Sequence, residues 1–409
     1  MRIQNKLGSK GDVCMSKVEE NILDNKEIQN KTKKAPKNLS TKIFYGNSSE
    51  VISKGYKDYN DFSKNTERKQ SMKGFDNTYR DFVDYILTIT HRIWEEKEIG
   101  LIYDTYSNDI KVHTGINTFH GINQVVSNTL QSLHGFPDDR EIGDNVVWSG
   151  NDEEGFYSSH RITSIGTNLN ESSYGPATGK KITYRSTADC FCYANRIVEE
   201  WIVRDGLYIV EQLGINPIDH AKKLAKQSIS NQKSFQTNFG MPETMDGQIT
   251  PKVYKRQYTE FEVGDFILEM YNKVWERRLF NYVKDFYADN ATVHYIKGTS
   301  LVGFNQIQGA FISLLASFPT SKFIVERVTC NERNSHNEWD VAVRWRLQGI
   351  HEGIGYFGKP TGKPVEILGI SHLKIVNEKI VEEWITFDGL EVLRQIYAQT
   401  LEQSEVIED

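Results

Sequence analysis

The chain has 409 residues, 38% hydrophobic and 11% aromatic, with 9 prolines and a net charge of −6; this excludes fibrous and wholly disordered classes and leaves enough apolar material for two cores. Lys plus Arg outnumber Asp plus Glu by 16 to 9 up to Phe75, and the remainder carries 33 against 46, an acidic body that argues against a nucleic-acid surface. Four scattered cysteines, Cys14, Cys190, Cys192 and Cys330, form no disulfide framework and fit a reducing compartment.

Residues 1–75 are rich in Lys, Asn and Ser without regular apolar spacing, and a disordered polar tail is expected there. Met15 is as good a translation start as Met1. No secretory pattern and no apolar stretch near 18 residues occurs, so no membrane partner is expected and the expected location is cytoplasmic. Regular order is expected from Phe82, because Phe82, Tyr85, Ile86, Ile89, Ile93 and Trp94 fall at three- and four-residue steps, the stripe of an amphipathic helix. Phe266, Ile267, Met270, Tyr271, Val274 and Trp275 repeat it.

That recurrence continues down the chain. At an offset of 181 to 183, Trp94 meets Trp275, His113 meets His294, Gly121 meets Gly303, Phe136-Pro137 meets Phe318-Pro319, and Arg161 meets Arg344. Thr178-Gly179-Lys180 then meets Thr361-Gly362-Lys363, and Glu199-Glu200-Trp201 meets Glu382-Glu383-Trp384. In each half, helices precede long β segments such as Gly155 to Gly166, Lys181 to Ala194 and Arg196 to Val203, joined by short turns, which predicts an α+β class with antiparallel neighbours. The expected organisation is a tail (1–75), a first domain (76–215), a linker (216–259), a second domain (260–400) and an acidic C-terminal tail (401–409).

The run Arg344 to Gly353, then Thr361-Gly362-Lys363, then Lys379-Ile380-Val381-Glu382-Glu383-Trp384 with Asp388, resembles the SnoaL-like polyketide cyclases of the nuclear transport factor 2-like superfamily, and the first half resembles them less closely. The resemblance implies two tandem cone-shaped α+β barrels, each a curved antiparallel sheet closed by N-terminal helices over a largely apolar pocket. It also implies aldol ring closure by an Asp acid/base, without metal or cofactor, at positions matching Asp205 and Asp388.

Strand alternation places Glu199, Trp201, Val203 and Asp205 on one face, with Trp384 and Asp388 repeating the relation. A carboxylate facing an aromatic-lined cavity loses hydration, and its pKa rises toward the range useful for proton transfer beside a carbonyl. Alternatively, Asp-Gly turns the chain and caps the following helix. His372 lies near the cyclases' second polar group, and His351 lies in a Gly-x-His signature where the first half has Asn168. These two join the Asp pair as catalytic candidates. The substrate-binding candidates are Trp201 and Trp384, Arg161 and Arg344, His113 and His294 at the cavity mouth, and Trp94 and Trp275. The arginines pair either with a substrate anion or with an internal carboxylate, and the last two tryptophans are either core or platform.

No phosphate loop, His-Glu-x-x-His helix or Gly-x-Ser-x-Gly elbow occurs, so no metal and no cofactor is expected. The function expected is binding of a hydrophobic carbonyl-bearing small molecule, with cofactor-independent cyclisation or isomerisation. The alternative is a non-catalytic ligand-binding or protein-interaction module. The two halves are expected to pair as an intramolecular pseudo-dimer, with a further homodimer as an option.

Overall fold

Acidic caps at Asp81, Asp205 and Glu262 start three of the helices, and long two-faced strands form the sheets. The structure, a computed structural model, describes residues 42–47, 59, 70–115, 117–230, 251–333 and 337–405, all within one compact unit, Lys42–Asp409. After β1 (Ile43–Tyr45), the Asp81 carboxylate accepts the Asp84 N–H at 2.8 Å and starts α1 (Phe82–Trp94), which buries the stripe seen in the sequence. One turn, α2 (Ile102–Thr105), leads into β2 (Tyr106–Thr114) and β3 (Asn117–His120), then α3 (Ile122–Gly135). Four long strands follow: β4 (Arg140–Asn151), β5 (Gly155–Thr167), β6 (Lys181–Tyr193) and β7 (Arg196–Arg204), and then α4 (Gly206–Leu213) and α5 (Pro217–Ser230).

The second half opens with Glu262 capping α6 (Val263–Met270), extended by a π turn over Tyr271–Glu276. It continues through α7 (Val283–Phe286), β8 (Tyr287–His294), β9 (Ser300–Val302) and α8 (Gly303–Ser317) to β10 (Lys322–Glu332), β11 (Glu338–Ile350), β12 (Pro364–Val376), β13 (Lys379–Phe387) and α9 (Gly389–Glu405). The first sheet runs β3-β2-β7-β6-β5-β4 and the second β1-β10-β11-β12-β13-β8-β9. Leaving β1 aside, the second order is the first read in the opposite direction.

The class is α+β, as expected, but several details differ. Both sheets end in edge strands, so neither closes into a barrel. Neither is wholly antiparallel: β2 pairs with β7 and β8 with β13 in parallel, because the chain crosses the sheet between them. Register shifts, for instance between Gly143 and Asn145 and between Val325 and Arg327, are bulges that curve the sheets. Within the expected 1–75 tail, Ile43–Tyr45 pair in parallel with Val328–Cys330 and cover an otherwise open edge, and Met72 and Phe75 are buried. The rest of that tail, including Met15 and Cys14, lies outside the described residues apart from single positions.

In the expected linker, α5 packs along α9, with Ala221 and Ala225 fully buried; residues 231–250 lie outside the description. The expected acidic tail enters α9 as far as Glu405. No helix among the described residues is long and apolar enough to cross a membrane.

The two sheets meet face to face across a layer that is partly ionic. The Arg344 guanidinium lies 3.6 Å over the Trp201 ring and that of Arg161 3.5 Å over Trp384, so each sheet's arginine stacks on the other sheet's tryptophan. The alternative of internal carboxylate pairing holds for Arg344, which bonds Glu326 at 2.8 Å and lies 3.5 Å from Asp189. Arg344 also donates to the Tyr157 hydroxyl, which donates to Asp189 at 2.9 Å. Arg161 is less well served: its nearest carboxylate, Asp144, is 3.8 Å away, and its Nε and Nη1 have no hydrogen-bond partner.

This asymmetry is testable by urea denaturation. Arg344→Ala leaves the buried Asp189 without its ion-pair partner, while Glu326 keeps Arg346, and is expected to cost about 3–5 kcal/mol, whereas Arg161→Ala removes mainly a ring contact and is expected to cost about 1–2 kcal/mol. Equal losses would contradict the ionic role given to Arg344.

Candidate functional site

Alternation along β7 decides which side chains reach the interior of the first half. Glu200, Ile202 and Arg204 face inward, whereas Val203 packs with Leu368 and Ile370 between the sheets. The inward face lines a cavity of about 590 Å³, whose apolar wall includes Ile86, Ile89 and Ile93 of α1, Val125 of α3, and Ile162 and Ile182 of the sheet, and whose remaining wall is polar, with Thr90, Thr129, Ser132 and Ser186 among its residues. Asp388 and Glu391, from the start of α9 in the second half, also line it.

The corresponding interior of the second half is filled. Phe323 stacks between Tyr271, at 5.5 Å, and Trp345, at 5.1 Å; Trp275 lies 4.3 Å from Phe311, and Phe387 lies 6.1 Å from Trp345. At the same offsets the first half has Thr90 for Tyr271, Thr129 for Phe311, Glu141 for Phe323, Ile162 for Trp345 and Arg204 for Phe387. Strand registers agree, since Glu141 faces Ser164 as Phe323 faces Leu347. Five large rings are thus exchanged for two threonines, one isoleucine and two charged side chains, all five of which line the cavity.

Its electrostatics follow from confinement. Arg204 is the one Lys or Arg among the lining residues, and it makes no hydrogen bond or ion pair among the described residues. Tyr184, Tyr174, Glu141 and Glu200 surround it closely enough to strengthen its charge. Burial raises the Glu141 carboxyl to about 8, reinforced by Asp139, against a 2.8 Å hydrogen bond from Ser164 and the charge of Arg204. Burial raises Glu200 to about 7, with Arg204 opposing. In the filled half the equivalent Glu383 accepts hydrogen bonds from Tyr287 at 2.6 Å and Tyr271 at 3.5 Å, whereas Glu200 has no such partner among the described residues. Burial raises Asp388 to about 7, helped by Glu391, and its Oδ1 accepts the N–H groups of Leu390 and Glu391. His160, also in the wall, is pushed down to about 3 by burial and by Arg161, and its Nε2 has no partner.

Of the residues singled out in the sequence, Asp388 and Trp94 line this cavity. Asp205 caps α4 through Tyr208 N and accepts Lys297 N from the second half at 2.6 Å; burial raises it to about 6. Trp201, Trp384, Arg161, Arg344 and His372 belong to the layer between the sheets. There His372 Nε2 meets Ser159 Oγ at 2.9 Å, and burial followed by the Arg161 charge keeps its ring neutral. The expected face with Trp201 and Asp205 therefore looks toward the other sheet and not into a cavity. His113 and His294 bond Glu199 and Glu382 at 2.8 and 2.9 Å and stack on Trp201 and Trp384. Trp275 is buried in the ring stack. His351 bonds Thr361 at 3.1 Å while its backbone receives Thr361 and Gly362 N–H groups. Asn168 does the equivalent with Thr178 at 2.9 and 3.1 Å, so both side chains hold the same turn.

The residues that sequence reasoning missed are Glu141, Glu200, Arg204 and His160. Subtracting one half from the other marks the first and third, because a charge stands where its counterpart is a large ring. Among the described residues no group of three or more His, Cys, Asp or Glu side chains is placed to hold a metal ion.

No curated protein sequence matches the chain. Among solved structures it is similar to IdmH from Streptomyces antibioticus, at 22% identity over 33% of this chain and 99% of that one, with a TM-score of 0.28. TsrD from Streptomyces laurentii is similar at 14% identity over 32% of this chain and 93% of that one, with a TM-score of 0.28. A Jannaschia sp. CCS1 protein assigned to the SnoaL-like polyketide cyclases is similar at 18% identity over 34% of this chain and 99% of its own, with a TM-score of 0.30. Each of these likenesses spans about one third of the chain. In sequence, residues 266–396 match the family model described as SnoaL-like polyketide cyclase, which places a SnoaL-like domain in the second half.

Proposed function

We propose that the chain binds a small apolar, carbonyl-bearing molecule in the cavity of its first half and moves protons on it. In this reading the two halves are SnoaL-like units in tandem, paired as an intramolecular pseudo-dimer through the reciprocal arginine–tryptophan stacks. The second unit is filled and serves as the partner that completes the wall. The observation that carries the proposal is a cavity of about 590 Å³ whose wall joins a patch of isoleucines to polar side chains, into which Glu200 and Asp388, both held near 7, project. A carboxyl poised near neutrality can both take and return a proton, and a cavity of this size suits a molecule of a few fused rings. Glu200 is the proposed base, because no hydrogen bond among the described residues occupies it. Asp388 is the proposed acid, delivered from the second unit.

Binding without turnover is the second reading, favoured by the two helix-capping bonds on Asp388 Oδ1. The two separate by experiment. Small molecules retained by the purified protein are identified by mass spectrometry, and the protein is then held in D₂O to follow deuterium entering the carbon beside the ligand's carbonyl. Exchange is expected in the wild type and is expected to fall at least about a hundredfold in Glu200→Gln and Asp388→Asn with the ligand still retained. A retained ligand that never exchanges would leave binding alone.

The location of the site is tested by restoring the rings. Thr129→Phe with Ile162→Trp, the side chains of the filled half, is expected to abolish ligand retention while the melting temperature holds or rises. Undiminished retention would exclude this cavity.

Burial of Glu141 has a consequence for stability. Its carboxyl is ionised above about 4.3 in the unfolded chain but only above about 8 in the folded one. The folded state therefore binds the extra proton between those values, and stability from this group is full below the window and lost as pH rises through it. Glu141→Gln is expected to gain on the wild type, by about 1–3 kcal/mol, between about pH 5 and pH 8.5 in denaturation. Parallel pH profiles for the two proteins would contradict the assignment.

A further inference from the structure

The chemistry around Arg204 narrows the ligand class further, given the cavity reading above. A guanidinium has five N–H donors in a fixed fork that matches a carboxylate. Several other buried guanidinium groups meet carboxylates: Arg344 meets Glu326 and Asp189, Arg346 meets Glu326 and Glu366, and Arg394 meets Glu391, while Arg161, which lacks such a bond, lies on the Trp384 ring between the sheets and does not line this cavity. Arg204 has none of this among the described residues. It is not required by the fold, because Phe387 occupies the equivalent place in the other half. It is also not held in bulk water: it stands in a cavity wall beside Tyr174 and Tyr184.

We infer that Arg204 is the anchor for a single carboxylate on an otherwise apolar ligand. A monoanion fits better than a phosphate, because the lining residues include no second Lys or Arg and His160 stays neutral. The nearby carboxyls do not neutralise the guanidinium directly. None lies within ion-pair distance; Glu391 is engaged by Arg394 at 2.5 Å, and Asp388 caps α9. Glu141 is raised to about 8, which leaves it largely protonated at pH 7 and able to donate to the ligand's oxygen, and Glu200, raised to about 7, is about half ionised there. The apolar body of the ligand would lie along the isoleucines of α1 and against Trp94, while its carboxylate meets the fork of Arg204 at the C-terminal end of β7.

The test uses the full-length chain and four probes that share one ring system: 2-naphthoate, its methyl ester, 2-naphthamide and 2-naphthylmethylamine, each titrated by calorimetry at pH 7. 2-Naphthoate is expected to bind at least about tenfold more tightly than the ester or amide, as a charge-assisted pair should. In Arg204→Gln that preference is expected to disappear while the ester and amide change less than about threefold, which also reports that the cavity is intact. Arg204→Lys is expected to restore part of the preference, since a point charge lacks the fork. If ester, amide and carboxylate bind alike in the wild type, the carboxylate inference fails and the cavity reading stands. Preference for the amine would overturn the inference in favour of a cationic ligand held by the four carboxyls. If none of the probes binds, the inference and the cavity reading fail together.

Discussion

The strands nearest the middle of this protein have no solvent face. On one side each packs against the other sheet, and on the other side it packs against its own helices, so most residues along β5, β7, β11 and β13 serve one dry layer or the other, with Glu199 and Glu382 among those that reach solvent. That two-sided burial accounts for the reciprocal arginine–tryptophan stacks. An arginine placed mid-strand cannot reach water, and a flat indole from the opposing sheet lets its planar charge lie against a surface that attracts it. It also explains why the layer between the sheets holds Tyr157, Asp189, Ser159 and His372 as bonded partners. Burying one polar group there favours partners beside it, although Arg161 Nε, Asp189 Oδ1 and His372 Nδ1 have no hydrogen bond among the described residues.

The other dry layer is where the halves diverge. In the second, six interlocking rings fill the interior and Glu383 is tied to two tyrosines. In the first, the same backbone surrounds a void with unmatched polar groups in its wall. Voids and unmatched charges both lower stability, so an interior of this kind persists in a folded protein where something other than folding depends on it. The filled half needs no such explanation. It supplies rigidity, and through α9 it supplies part of the wall of its neighbour.

Much of this architecture is legible in the sequence because amphipathic periodicity reports burial directly. The stripe from Phe82 to Trp94 coincides with α1, and the 181 to 183 offset carries over to the two strand orders. The face assignment was not legible. Glu199-Glu200-Trp201-Ile202-Val203-Arg204 has no polar side to orient it, because both faces are covered, and alternation alone does not say which layer a residue joins. The eye settles on Trp201 and the repeated Asp, while Arg204 falls at a position the repeat does not preserve. Its significance lies in that mismatch with Phe387. The helix at Pro217–Ser230 was also missed. Its buried stripe uses Ala221 and Ala225, side chains too small to stand out as hydrophobic, yet their size is what lets α9 approach. The open sheet edges were not legible either, since closure depends on strand registers that no local pattern encodes.

The two Asp-Gly turns lie against each other. A methyl group on Gly206 would stand 2.4 Å from Asp388 Oδ1, and one on Gly389 would stand 2.5 Å from Leu207 Cδ1. Backbone from one half is thus in contact with the other half's turn at the point where Asp388 enters the cavity wall. Here each turn constrains the other, because a side chain added at Gly206 would push on the Asp388 carboxyl and one added at Gly389 would push on Leu207. The second half can change its own core and still fold, but its turn at Asp388 evolves on the first half's terms.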